Sequence, residues 1–374
     1  LKDYSKNGTF VNGKRIQNAH KLISSDKIII GPYVVPFNGE VQDLTKEIAI
    51  RTEGVEKVYK NGFQALNDCY LNINSRTLMA IMGPSGCGKS TLLKTLNGES
   101  PATRGKVYLF NQELTSNYEY LKTQIGYVPQ DDIVHKELTV FQSMYFAAKL
   151  RLENRNEEEI TIKINKILNS LNISFIKDQL VGKISGGQRK RVSIAVELLT
   201  DPLILFLDEP TSPLDPQTID EFLKILKNLA DNGTTVVMVT HKPEDLAYMD
   251  NTMFLAEGGH IVYDGPSDAY KSYFGVSSAV EVYANLVGNN AKKWILKFNN
   301  QNNIKKRSFT QNKKQDNITT ANPWKQFYWL SARYLKIKTN DRLNSAILIL
   351  QAPIIALLLL LIFDHITQAV PFLI

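Results

Sequence analysis

Cysteine is almost absent: the 374 residues contain two, Cys69 and Cys87. Two thiols build no disulfide framework, which excludes the small secreted scaffolds stapled that way and favours a reducing, cytosolic compartment for most of the chain. No signal-peptide pattern stands at the start, and no internal repeat runs through the sequence, which sets repeat architectures aside. A strong charge imbalance is lacking too. The formal charge of +7 is mildly basic, which suits nucleic acid or an anionic membrane surface without choosing between them. The chain begins at Leu1 rather than Met and stops at Ile374 among apolar residues, so a fragment of something longer at both ends is expected.

What is present divides into stretches. Residues 1–40 read as short strands, with the hairpin-type dipeptides Asn7-Gly8 and Asn12-Gly13 around Thr9-Phe10-Val11, then a strand and turn over Asp26–Gly31. A polar connection from Asn38 to Lys46 leads to residues 47–275. There the continuous apolar runs Leu78–Met82, Leu203–Leu207 and Thr235–Val239 suit a mostly parallel sheet covered on both faces. A helical insert is expected over Leu138–Leu152 and Glu157–Leu171. The fold class is α/β, a mostly parallel sheet with a helical subdomain, preceded by a partial β-sandwich.

Residues 276–322 read as a linker, solvated where Asn, Gln, Lys and Thr dominate from Asn299 to Asn322. Residues 343–374 read as a first, truncated transmembrane segment. Ala346–Phe363 is hydrocarbon broken only by Gln351 and Pro353, close to the roughly 20 residues that cross a bilayer. A soluble core helix would carry a polar face, and Ile354–Phe363 has none. Arg333, Lys336, Lys338 and Arg342, against Asp341, place the preceding side in the cytoplasm. Trp324, Phe327, Tyr328, Trp329 and Tyr334, interleaved with Lys325 and Arg333, make 323–342 an amphipathic connecting helix at the interface.

Three motifs carry chemistry. Gly83-Pro84-Ser85-Gly86-Cys87-Gly88-Lys89-Ser90, followed by Thr91, fits G-x-x-x-x-G-K-[ST] between a strand and a helix, the setting a phosphate loop requires. Its N–H groups can wrap a β-phosphate, Lys89 can reach the β/γ oxygens, and the Ser90 hydroxyl can ligate Mg²⁺. Cys87 occupies a position open to any small residue and needs no redox role. Next, Leu203–Leu207 ejects Asp208 and Glu209 at the C-terminal end of a strand, where parallel sheets bind ligands. One carboxylate can hold Mg²⁺ and the next can orient and deprotonate an attacking water. Finally, Ser185-Gly186-Gly187-Gln188 opens a helical run, a second anion-seeking helix start in one chain.

The set "GPSGCGKST", "YVPQDD", "SGGQ", "LILFLDEPTS", "LD" and "VTH", in that order from Glu47 to Phe274, resembles the nucleotide-binding domain of ATP-binding cassette (ABC) proteins. "GYVPQDDIVHKELTV", "FAAKLRL" and "VSIAVELLTDP" are similar to the G-type (White-like) half transporters, whose cassette precedes an ABC-2 type membrane domain. The resemblance implies an ATP hydrolase that uses ATP and Mg²⁺. It also implies a second cassette, in a homodimer of half transporters packed head to tail. Ser185, Gly186, Gly187 and Gln188 would then clasp the γ-phosphate on the partner's phosphate loop, so that each chain carries two halves of two sites. By the same resemblance Gln130 senses Mg²⁺ and contacts the membrane domain, Asp208 holds the metal, and Glu209 is the general base. Asp215 crosses the dimer interface, His241 is the γ-phosphate switch, and Tyr59 stacks on adenine. One departure stands out: the usual D-loop reads Ser-Gly-Leu-Asp, and here it is Ser212-Pro213-Leu214-Asp215. Proline removes an N–H and fixes φ near about −65°, so the family's D-loop conformation does not carry over to these residues by resemblance alone.

The N-terminal "NGTFVNG" and "DKIIIGPY" resemble the last strands of a forkhead-associated (FHA) domain, a β-sandwich that binds phosphothreonine peptides. In that family Asn7 would contact the peptide backbone. The motifs for the phosphate itself would precede Leu1, so the stretch is not expected to bind phosphopeptide alone. The whole reads as the ATPase part of a half transporter on the cytoplasmic side of the cell membrane, with the lipid bilayer as a partner, no nucleic acid, and an unknown substrate. A soluble ABC-type ATPase acting on ribosomes or DNA is the alternative, and it would lack the hydrophobic run. An FHA-linked signalling scaffold is a third, weakened by intact Lys89, Glu209 and His241.

Overall fold

A computed structural model of the chain describes residues 1, 9–11, 14–16, 19–23, 26–30, 33–36, 41–43, 48–152, 155–302 and 323–369. Asn7, both Asn-Gly turns, residues 303–322 of the expected linker and residues 370–374 lie outside them.

The N-terminal part is one antiparallel sheet of β1 (Thr9–Val11), β2 (Lys14–Arg15), β3 (Lys27–Ile30), β4 (Tyr33–Pro36) and β5 (Gln42–Asp43), in the order β2-β1-β3-β4-β5. Val11, Ile16 and Ile28 form its small core. The sheet reaches into the stretch read as a polar connection, because Gln42 pairs with Val34 through backbone groups that are indifferent to side-chain polarity.

The cassette begins with β6 (Ile48–Val58), β7 (Gln64–Cys69), β8 (Asn72–Asn74), β9 (Leu78–Met82) and α1 (Lys89–Leu96). It continues with β10 (Arg104–Leu109), β11 (Gln112–Glu113), α2 (Tyr118–Leu121) and β12 (Ile125–Val128). A helical subdomain follows: α3 (Val140–Arg151), α4 (Glu157–Ser170) and α5 (Gly186–Leu198). The chain then alternates through β13 (Ile204–Asp208), α6 (Pro216–Asp231) and β14 (Thr235–Val239), and closes with β15 (Asn251–Ala256), β16 (His260–Pro266) and α7 (Tyr270–Phe274).

The main sheet has the order β12-β13-β14-β9-β15-β16, parallel except for the final β15–β16 pair. Every residue of β9, β13 and β14 is buried, the reason these strands read as unbroken apolar runs. Their side chains alternate between two cores, as the two-residue period of a strand demands. Leu78, Ala80 and Met82 face the core shared with α3 to α6, whereas Met79 and Ile81 face α1 and the antiparallel sheet β11-β10-β6-β7. That second sheet was not foreseen.

The subdomain helices start where their caps dictate. Thr139 and Gln142 make a capping box on α3, and Asn156 caps α4 ahead of Glu157, Glu158 and Glu159.

Residues 276–302 are not the expected linker. They form α8 (Ala279–Asn285) and α9 (Gly288–Asn302), which bury Val282, Leu286, Trp294 and Phe298 against the cassette. The polar composition misled because Asn and Lys take the outer face, while Trp294 and Phe298 recur at helical spacing on the inner one. Lys297 Nζ adds a hydrogen bond to Tyr273 O at 2.8 Å and lies 3.9 Å from the Tyr273 ring centroid.

After the undescribed stretch come α10 (Pro323–Asn340) and α11 (Arg342–Ala369), where the connecting and membrane helices were expected. α10 docks on α3. Trp329 meets Tyr145 edge-on at 6.1 Å with Lys149 Nζ 5.0 Å from its ring, and Asn340 Nδ2 donates to Glu137 O at 2.8 Å and Gln142 Oε1 at 3.1 Å. Among the described residues α11 is the one helix long and apolar enough to cross a membrane, over Asn344–Leu361, and none of that span is buried.

Candidate functional site

The phosphate loop connects β9 to α1. Gly83 and Gly88 are required by sterics: a Cβ on Gly83 would sit 2.4 Å from Leu255 O, and one on Gly88 2.4 Å from Ala65 O. Both also have positive φ, at 150° and 103°, which glycine adopts without penalty. α1 has no side-chain N-cap, so its N-terminus and dipole can serve an anion. Lys89 Nζ folds back over the loop and donates to Gly83 O and Pro84 O, each at 2.9 Å. Cys87 is buried, and burial raises its thiol pKa against the opposing pull of Lys89. It is therefore a neutral packing group. Pro84, Ser85, Gly86 and Thr91 complete the loop.

Ser90 Oγ donates to Asp208 Oδ1 at 3.0 Å, bringing the expected hydroxyl and carboxylate of a Mg²⁺ site together. Asp208 is 4% exposed, and burial raises its pKa more than the Ser90 hydrogen bond lowers it. A divalent cation between these oxygens would remove that unfavourable term, so the residues fit the metal.

Next to Asp208, Glu209 leaves the end of β13 with φ at 46°, an uncommon conformation for a residue with a side chain. Its N–H donates to Val239 O at 3.1 Å, tying it to β14. Its Oε2 accepts from Gln130 Nε2 at 3.2 Å and lies 3.6 Å from His241 Nδ1. Two residues from two other segments, 79 and 32 positions away from Glu209 in sequence, thus meet at its carboxylate (209 − 130 = 79; 241 − 209 = 32).

Tyr59 stacks on Phe63 with ring centroids 6.5 Å apart, and its OH lies 3.2 Å from Thr91 Oγ1. An exposed aromatic beside the phosphate loop can receive a purine. Phe63 was missed, although its ring is on the same turn.

The second anion-seeking start is separate. Ser185 caps α5 in a reciprocal box, with Gln188 N donating to Ser185 Oγ at 3.2 Å and Ser185 N donating to Gln188 Oε1 at 3.0 Å. The S-x-x-Q spacing signals this box. A Cβ on Gly187 would meet Thr218 Cγ2 at 2.9 Å, and one on Gly186 would meet Pro213 O at 3.5 Å. The signature therefore leans on the D-loop and α6. Asp215 caps α6, accepting from Thr218 N at 3.0 Å. Among the described residues no hydrogen bond joins 185–188 to the phosphate loop.

Sequence reasoning missed the anchor between the signature helix and Gln130. Lys190, 1% exposed, donates to Pro129 O at 3.1 Å and Gln130 O at 2.8 Å and lies 3.4 Å from Asp132 Oδ1. Arg189 Nε reaches Asp132 Oδ2 at 3.2 Å. Inside the basic run Arg189-Lys190-Arg191 nothing but helical phase sets Lys190 apart.

The family profile described as ABC transporter matches residues 66–212, and the FHA domain profile matches residues 1–31. The ABC transporter ATP-binding/permease protein Rv1747 of Mycobacterium tuberculosis is 36% identical over 288 residues, 75% of this chain and 33% of that protein. ABC transporter G family member 28 of Arabidopsis thaliana is 40% identical over 52% of this chain and 18% of its own length. The chain thus spans a third or less of these curated relatives. The cell division ATP-binding protein FtsE of Bacillus subtilis is 35% identical over 60% of this chain and 99% of its own length. Among solved structures, the dimeric bacterial ABC transporter cassette MJ0796 superposes with a TM-score of 0.54 at 29% identity, covering 58% of this chain and 98% of that one.

Proposed function

Because this chain belongs to the ATP-binding cassettes of ABC transporters, a family of ATPases, we propose that it binds ATP with Mg²⁺ between two such cassettes and hydrolyses it to drive a membrane domain. The observation that carries this reading is the meeting of Gln130 and His241 at Glu209, one residue from the Ser90–Asp208 pair.

The chain's own groups divide the work. The phosphate-loop N–H groups and the α1 N-terminus bind the phosphates, and Lys89 exchanges its two carbonyl partners for phosphate oxygens. Ser90 and Asp208, with Gln130, would hold Mg²⁺, which would supply charge neutralisation at the phosphate oxygens. Glu209 takes the proton of the attacking water, and His241 and Gln130 orient Glu209 and the γ-phosphate. Tyr59 stacks on the adenine.

The partner we propose is a second copy, packed head to tail so that Ser185, Gly186, Gly187 and Gln188 complete its site and Asp215 lies at the interface. The cassette of the similar structure MJ0796 is itself described as dimeric. α11 is the first membrane helix of a G-type half transporter, with the cassette on the cytoplasmic side of the cell membrane and the bilayer around α11. Docking of α10 on α3 supports a route for passing cassette motion to the membrane. The N-terminal sheet is part of an FHA domain, a module for phosphothreonine peptides.

Replacing Glu209 with Gln tests the core of this reading. It removes the base and keeps the shape, so ATP binding persists while phosphate release falls about 10²–10⁴-fold. Wild-type turnover in that variant would sink the assignment.

A further inference from the structure

Asp245 lies in the 3₁₀ turn Pro243–Tyr248 after the switch histidine and is 0% exposed. A carboxylate is costly to bury without strong partners, and this one has two. Its Oδ2 accepts from Thr211 Oγ1 at 2.8 Å and from Thr240 Oγ1 at 2.5 Å. Thr211 lies two residues after Glu209, and Thr240 immediately precedes His241. The tie is doubled nearby: Lys242 Nζ donates to Thr211 O at 2.6 Å, and Lys242 N donates to Thr240 Oγ1 at 3.1 Å. Thr240 N is itself fixed to Ile81 O on β9 at 3.1 Å.

These bonds surround the strained φ of Glu209. Such backbone persists only where neighbours over-determine it. The N–H of Glu209 is held by Val239 O from one side, and Asp245 holds the segment after Glu209 from the other.

We propose that Asp245 is a positioning residue for hydrolysis: its buried carboxylate clamps Thr211 to Thr240 and so keeps Glu209 and His241 in register. The proposal rests on the reading of Glu209 as the base. The clamp does not touch the phosphate loop residues Lys89 or Ser90, so it should govern turnover and leave nucleotide affinity alone.

The test compares the full chain and its variants by steady-state phosphate release and by titration with a fluorescent ATP analogue. Asp245→Ala should lower kcat about 10-fold to 100-fold, the scale of an ångström-sized misplacement, with affinity changed by less than about twofold. Asp245→Asn retains an acceptor oxygen for both hydroxyls and should restore most of the turnover, which a role resting on its charge would not predict. Thr240→Val and Thr211→Val each delete one hydroxyl at nearly constant volume, and each should lower kcat even where the alanine variant fails to fold. Wild-type kcat in both valine variants overturns the proposal. So does a parallel fall in kcat and affinity that the Asn variant leaves unrestored. Glu209→Gln in the same assay separates the failures: an inactive Glu209→Gln beside a fully active Asp245→Ala defeats the clamp alone, and an active Glu209→Gln defeats the assignment of the base and the clamp with it.

Discussion

Gly186 and Gly187 are neighbours in one motif, yet alanine should affect them in opposite directions. A methyl on Gly187 would sit 2.9 Å from Thr218 Cγ2 and 3.0 Å from Leu214 Cδ2. Thr218 cannot turn away cheaply, because its hydroxyl donates to Asp215 Oδ2 at 2.6 Å and its N–H to Asp215 Oδ1 at 3.0 Å. Leu214 is buried in the larger core. Overpacking of this kind costs about 1–3 kcal/mol. Alanine recovers at most about 1 kcal/mol over glycine as a helix residue, so Gly187→Ala should lose roughly 0–2 kcal/mol.

At Gly186 the nearest atoms to the new methyl are Pro213 O at 3.5 Å and Pro213 Cβ at 3.7 Å. That is ordinary contact, and only the helix gain remains. The gap between the two variants should therefore be about 1–3 kcal/mol, or several degrees at about 2–4 °C per kcal/mol for a domain of this size. Thermal unfolding of the full chain, at one protein concentration and without nucleotide, reads it directly. The expected order is Gly186→Ala at or above wild type and Gly187→Ala below it. Equal melting of the two alanine variants, or the reverse order, would refute the packing of the D-loop on the signature.

Asp208→Asn should raise the melting temperature at pH 7 without metal while abolishing Mg²⁺-dependent phosphate release. The carboxyl's folded pKa lies above its ordinary value, so its contribution is fully present below the unfolded pKa and lost as pH rises through the folded one; a variant less stable than wild type at neutral pH contradicts this sign. Asp132→Ala leaves Lys190 buried without its carboxylate, a loss of about 3–5 kcal/mol for a broken buried pair, lessened here by the carbonyls of Pro129 and Gln130; a denaturant midpoint equal to wild type would argue against that anchor. Mixing Lys89→Ala chains with Gly187→Asp chains, each inactive alone, should restore phosphate release, because one composite site of the mixed dimer keeps both an intact loop and an intact signature. A flat zero across the titration counts against sites shared between chains.

Sequence pattern read the cassette's architecture well where one physical cause dominated. β9, β13 and β14 are buried on both faces, so hydrophobicity alone marked them, and the acidic run from Glu157 marked the start of α4. The phosphate loop was legible from its glycine spacing between a strand and a helix, and the Asp208-Glu209 pair, common at a strand end by itself, became legible with that loop on the same sheet. The rest needed the third dimension. α8 and α9 hid behind their polar outer faces. Asp132 sat inside a quoted motif without its partners in view, and Asp245 lies among Lys242, Glu244 and Asp250, where a surface acid is the ordinary expectation. Local strings carry bonds made within a turn. They do not carry a carboxylate that joins Thr211 to a residue 29 positions later, Thr240 (240 − 211 = 29).

Pro213 shows how the departure from the family's D-loop is accommodated. Proline costs a site its N–H, but the turn bonds here use the residues on either side: Ser212 N donates to Glu209 O at 3.2 Å and Leu214 N to Thr211 O at 3.2 Å. The proline ring's contact surface is used as well, since Pro213 lies beside Gly186 at the start of α5. Replacing a flexible glycine by proline where the backbone already fits stabilises by about 0.4–1 kcal/mol, chiefly by restricting the unfolded chain. The segment it stiffens is bounded by Thr211, bound to Asp245, and by Asp215, which caps α6. The D-loop is thus held at both ends by carboxylate bonds and in the middle by proline. A loop so constrained moves with the signature glycines and with the Glu209 segment rather than independently of them. On the dimer reading, a displacement imposed at one nucleotide would then reach the residues that face the other through rigid contact, without any need for the D-loop to refold.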